Sequence, residues 1–277
     1  MPSTYAHYRL GTEVLKKLNS TTQSIINKNY ELFSIGLHGP DILFYYKALK
    51  SNPVNQVGFD MHKHSGKEFF DEATRIIINN NYDERHIAYI YGFICHFALD
   101  VTCHGYIDEK ISQSGISHTE IEAEFDRALL VKNGFNPIKH NLTTHINPSL
   151  NNSKIISDFF SNITDKDIQK SLKSMIFYNK LLIAPSHLKR NIIYSLLRLT
   201  GNYEEMHGLI INYEKNFDCL DSTKKLFQLY EKAIVLATNL INEYENHLYK
   251  NSCLNDIYNY NFGSELMEKE EVINEAK

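Results

Sequence analysis

The stretch HIAYIYGFICHFALDVTCH, residues 86–104, constrains this chain more than any other. It is apolar almost all the way round a helix, and such a helix is stable only when buried on every side. A central core helix is therefore expected from Asp83 to about Ile111. Its polar residues stand out against that background. His96, Asp100 and His104 are spaced i, i+4 and i+8, and each step of four advances about 40° around the axis, so the three share one stripe. Burying an unpaired carboxylate and two unpaired imidazoles is costly. One arrangement that satisfies them is a metal cluster, in which the aspartate bridges two divalent ions through its two oxygens. Each imidazole then holds one ion or hydrogen-bonds a neighbouring ligand.

The rest of the chain follows the same helical period, with few period-two runs or hairpin turn pairs. Helices are expected over Thr12–Asn27, in a short segment opening at Gly39-Pro40-Asp41, over 65–79, and from Ser117 to about Asn133. At Ser117, Ser-x-x-Glu120 reads as a capping box. Residues 134–156, rich in Asn, Pro and Thr, read as loop. Four amphipathic helices follow at 164–180, 186–201, 203–216 and 221–249. The fold class is all-α, a single multi-helix domain over 1–250, with an acidic C-terminal tail over 251–277.

Composition narrows the function classes. A net charge of −4 argues against a constitutively basic surface, so no stable nucleic-acid partner is expected. The four cysteines, 95, 103, 219 and 253, are too scattered for a disulfide framework and fit free thiols in a reducing compartment. No signal-peptide h-region opens the chain, and no window approaches the ~18 apolar residues of a membrane span. The expectation is a soluble, cytoplasmic protein. No G-x-S-x-G, P-loop or His-Asp dipeptide occurs, which disfavours serine hydrolases, P-loop nucleotide hydrolases and the phosphohydrolases that use adjacent His-Asp ligands.

Further donors cluster upstream and downstream of the central helix. Eight of the thirteen histidines lie in the first 118 residues. His118 and Glu122 are again i and i+4, a spacing that lets one helix face grip one ion. His7 lies near the amino terminus, Asp41 follows His38-Gly39-Pro40, and His62 and His64 both fall in MHKHSGKEFF. Cys103 lies about 20° from His96 around the helix and offers a competing soft ligand.

The ordered segments TYAHYRLG, GLHGPDILFYY, MHKHSGKEFF, GFICHFALDVTCH and HTEIEAEFDRAL resemble the zinc-dependent phospholipase C family, which is related to three-zinc single-strand nucleases. The resemblance covers about residues 1–130. It implies up to three Zn2+ ions. His62, His96 and Asp100 would hold one, with Asp41 either a fourth ligand or the carboxylate that orients the attacking water. His7 and the N-terminal amine would hold a second, bridged to the first by Asp100, and His104, His118 and Glu122 the third. His104 stands closer to Asp100 than the matching histidine does in secreted phospholipases.

The implied activity is hydrolysis of a phosphodiester, phospholipids included, by metal-activated water with Asp41 as catalytic base. A zinc nuclease or small-molecule phosphodiesterase on the same residues, or a helical protein with structural zinc, are the competing readings. Tyr5, Phe44, Tyr45, Tyr46 and Phe59 are candidates for an apolar mouth, although core packing beside the first helices is the commoner role for each such aromatic.

Overall fold

The structure, a computed structural model, describes residues 4–267. Twelve α-helices make up the described chain, and no strand occurs among the described residues beyond one isolated antiparallel bridge, Tyr260–Leu266. In order they are α1 (Thr4–Leu15), α2 (Ser20–Lys28), α3 (Tyr30–Gly36), α4 (Pro53–Met61), α5 (Gly66–Asn79), α6 (Glu84–Ser114), α7 (His118–Lys132), α8 (Leu150–Ser157), α9 (Asp165–Leu182), α10 (His187–Leu199), α11 (Tyr203–Met206) and α12 (Leu220–Lys250). A 3₁₀ segment, Gly39–Tyr45, follows α3 with Pro40 in its first turn, where the missing N–H costs nothing.

The central helix is where the sequence places it. Asp83 caps α6 through the N–H of Arg85, and Gly115 closes it in the left-handed conformation. Every residue from His86 to Asp100 is buried. By length and composition α6 could cross a membrane, contrary to the expectation that no stretch would qualify. However, 89% of its apolar window is buried inside the protein, as in the core helix of a globular fold. The helix packs chiefly against α12 and α3. At the α3 crossing two glycines face each other's backbone: a Cβ on Gly36 would lie 2.2 Å from Tyr89 O, and one on Gly92 2.2 Å from Phe33 O. No larger residue fits without moving a helix. The Phe and Tyr content resolves into core packing, with Phe70 edge-on to both Phe93 and Phe97, and Tyr258 stacked on Phe97.

Several boundaries differ from expectation for reasons visible in their hydrogen bonds. The helix expected over Thr12–Asn27 is two helices, because Asn19 turns out of helical geometry and its side chain accepts from Thr22 N to start α2. The segment 134–156 contains α8, initiated when Ser149 caps Asn152 N. Ser117 caps Glu120 N as expected, but Glu120 does not reach back to complete the box. Its carboxylate accepts instead from Asn212 and Asn216. Those bonds, with Glu124 accepting from Asn212 Nδ2 and Asn216 N, hold 210–216 as a loop where helix was expected. Of the expected acidic tail, Tyr258 and Phe262 are buried in the core, while the acidic run from 268 onward lies outside the described residues.

Candidate metal centre

Five elements deliver the polar side chains to one place. The stripe on α6 supplies His96, Asp100 and His104, α1 supplies His7, the 3₁₀ segment and the end of α4 supply Asp41 and His62, and α7 supplies His118 and Glu122. Asp100 is the hub. Its Oδ1 lies 3.2 Å from His7 Nε2 and 3.7 Å from His104 Nε2, and its Oδ2 lies 3.1 Å from His96 Nε2. Asp41 Oδ1 is 3.2 Å from His62 Nε2 and 3.9 Å from His96 Nε2. Glu122 faces His118 at 3.2 Å and His104 at 3.7 Å. Three groups of donor atoms close enough to share an ion result: His7, His96 and Asp100; Asp41, His62 and His96; His104, His118 and Glu122.

The donors fit a divalent metal on two grounds. Imidazole nitrogen with carboxylate oxygen is a ligand set that zinc accepts readily. His96 is also fully buried, its Nδ1 makes no hydrogen bond and its Nε2 faces only the Asp100 and Asp41 carboxylates, an imidazole–carboxylate arrangement that a shared cation would satisfy. Ring orientations are set from outside the cluster. His62 Nδ1 donates to Gly58 O at 2.8 Å and His104 Nδ1 donates to Phe262 O at 2.7 Å. A carbonyl only accepts, so each Nδ1 carries the proton and, in the neutral ring, each Nε2 keeps its lone pair toward the cluster.

Electrostatics follows the same geometry. Burial pushes the Asp100 carboxyl up, but the imidazoles of His96, His104 and His7 outweigh it and hold the group well below the usual carboxylate range. Burial pulls His104 down, but Asp100 and Glu122 raise it to about 9. His7 is lowered by burial and by the His96 ring stacked on it at 4.3 Å between centroids.

The family profile for zinc dependent phospholipase C matches residues 6–178, well over half of the chain. The chain belongs to the zinc-dependent phospholipase C family. No curated protein and no solved structure gives a significant match. The family segment contains all eight residues singled out in the sequence and ends within α9.

Against that family pattern, the structure separates the alternatives. His62 joins the cluster, whereas His64 is 62% exposed at its side chain and turns toward Glu68. Cys103 enters none of the three groups, and burial pushes its thiol up, away from the thiolate that would bind metal. The N-terminal amine lies outside the described residues. Of the five candidate mouth aromatics, Tyr5 and Tyr45 are core, while Phe59 is exposed and stacks on Phe44 at 4.3 Å, with Phe44 beside His62.

Two features escaped the sequence reading. Asp126 is buried, and its two oxygens accept from Tyr5 N at 2.9 Å and Ala6 N at 2.8 Å, so α7 caps α1 directly before His7. It continues the His118–Glu122 spacing by another four, a signal available in the sequence. His38 Nε2 lies 2.7 Å from His145 Nε2, and His145 stacks on Tyr8 of α1 at 3.9 Å. Nothing in the sequence linked residues 107 apart.

Proposed function

We propose that this family member hydrolyses phosphodiesters, phospholipids among them, at a zinc cluster organised by one buried carboxylate. The observation that carries the reading is Asp100, whose two oxygens face three imidazoles from α1 and α6. By donor chemistry, His62, His96 and Asp100 would hold one zinc, His7 with Asp100 a second, and His104, His118 and Glu122 a third, which leaves the Asp41 carboxylate for the attacking water. Zinc, when bound, supplies the Lewis acid that lowers the pKa of an attacking water and offsets phosphoryl charge.

The chain's own part follows from position. Asp41 accepts the proton of the water, as a carboxylate beside the partly exposed His62 on the open side of the cluster. His96 and Asp100, buried behind it, keep bulk water from the inner side and strengthen the local electrostatics. Phe44 and Phe59 give the His62 edge an apolar rim suited to a lipid phosphodiester.

Elemental analysis of the purified protein should find more than one zinc per chain. Asp100→Asn should lower that number and cut hydrolysis of a phosphatidylcholine analogue by at least ~100-fold, the scale expected when bridging and charge balance are both lost. A variant that keeps wild-type hydrolysis would sink the cluster mechanism. Cleavage of single-stranded nucleic acid without cleavage of the lipid analogue would leave the metals and overturn the lipid assignment.

A further inference from the structure

The helix in which the family segment ends, α9, and the one that follows it, α10, carry a surface that the candidate centre does not use. On α10 the side chains of Leu188, Ile192, Leu196 and Leu199 are 72%, 53%, 57% and 83% exposed, and their spacing of four, four and three puts them on one face. Only Arg190 of this helix is buried. On the preceding α9, Phe177 and Leu181 are 60% and 41% exposed, and Lys173 and Lys180 flank them on the same face. An apolar stripe of this length facing water marks a contact surface.

Charge identifies what it contacts. From Ile168 to Tyr203 there is no acidic residue, while Lys170, Lys173, Lys180, Lys189, Arg190 and Arg198 fall in that stretch of a chain whose net charge is −4. Arg190 is buried on the Ala184 and Ile211 carbonyls and Lys189 donates to Ile183 O, but Lys173 and Lys180 are exposed beside the apolar side chains, and such a surface is complementary to an anionic bilayer: the apolar side chains enter the acyl boundary and the lysines meet the headgroups. A second copy of the same face would set cation against cation. The surface also adjoins the elements of the centre. α9 packs on the 3₁₀ segment that bears Asp41, and the α9–α10 junction, Ile183 and Ala184, borders a small cleft shared with Tyr45 and Asp126.

We propose that α9 and α10 form an interfacial docking surface for anionic lipid membranes, with Leu188, Ile192, Leu196 and Phe177 inserted and Lys173 and Lys180 on the headgroups. The proposal builds on the phospholipid reading of the substrate, and the two fail separately.

The experiment is flotation of the full chain with phosphatidylcholine–phosphatidylserine vesicles and with pure phosphatidylcholine vesicles, at low and high salt. Wild type is expected to bind the anionic vesicles, with binding lost in high salt. The I192S/L196S variant should bind at least ~10-fold more weakly. K173Q/K180Q should lose about fivefold per lysine. Both should keep hydrolysis of a soluble phosphodiester, because none of these residues touches the centre. Absence of wild-type binding, or binding that the serine and glutamine variants leave unchanged, overturns the proposal. So does concentration-dependent self-association that I192S/L196S abolishes while no vesicle is bound. Vesicle binding without lipid hydrolysis keeps the docking surface and removes the lipid substrate. Hydrolysis of micellar lipid without vesicle binding does the reverse.

Discussion

Gly39 sits where backbone and cluster meet, and replacing it with alanine separates two energies. Its φ is +48°, a conformation that an L side chain occupies at a cost of roughly 1–2 kcal/mol. A Cβ there would also lie 2.1 Å from His96 Cδ2 and 2.6 Å from its Cγ. An ordinary contact is 3.4 Å, so the His96 ring or the 3₁₀ segment must give by about 1.3 Å. The ring has little freedom, being stacked on His7 and lying beside Phe93 and Phe262. Overpacking of this kind costs about 1–3 kcal/mol, giving a total of about 2–5 kcal/mol for Gly39→Ala.

Gly115 provides the control. Its φ is +69° at the end of α6, but nothing lies within 4 Å of its Cβ position, so Gly115→Ala should show the backbone cost alone, about 1–2 kcal/mol. Urea unfolding measures both variants. Zinc per chain then distinguishes them, since ligand positions must hold to about ±0.2 Å and the displaced ring is a proposed ligand. Gly39→Ala should lose zinc and Gly115→Ala should keep it. If Gly39→Ala retains wild-type zinc and costs no more than Gly115→Ala, the argument that Gly39 shapes the His96 position is wrong.

Asp126→Asn should destabilise by about 1.5–3 kcal/mol, because an amide accepts from only one of Tyr5 N and Ala6 N and turns its own N–H toward the other. Since those bonds hold α1, zinc should also be lost from the His7 position, and an unchanged melting temperature would refute the cap. In metal-free protein, His104 has a folded pKa of about 9 against an ordinary 6.5, so its contribution is full below 6.5 and is lost as pH rises through 9. Asp100, held low, contributes above the ordinary carboxylate range and loses that contribution on acidification. Thermal melts of the chelated protein should therefore fall on both sides of a near-neutral maximum, and a melting temperature flat from pH 6 to 9 would count against the His104 pairing.

How much of this was legible beforehand depended on whether the signal was local. The α6 core and the His96–Asp100–His104 stripe could be read because a buried helix leaves few places for polar residues. His118–Glu122 was readable for the same reason of spacing. The partition of His62 from His64 was not, because two residues reverse the direction a side chain faces, and only the Gly58 carbonyl selects the ring that turns inward. Residues 210–216 were misread as helix because the competing partners, Glu120 and Glu124, lie more than eighty residues away. The second half of the Ser117 capping box failed for that same reason: the Glu120 carboxylate accepts from Asn212 and Asn216 in place of its own helix start.

The C-terminal segment shows why distant residues belong to the argument about the centre. Phe262 O accepts from His104 Nδ1, and Ser264 Oγ donates to Val101 O and accepts from Gly105 N, so this segment grips α6 on the stripe that carries Asp100 and His104 and along one side of it. Tyr260 O accepts from Gly66 N at the start of α5, shortly after His62. One short piece of chain thus holds the His104 ring directly and ties the α5 start to the same helix. Asp126 does the corresponding work for His7 through α1. The histidines on α1 and α6 that face Asp100 therefore depend on contacts made by residues that bind no metal themselves, and the cluster can be loosened without touching a ligand.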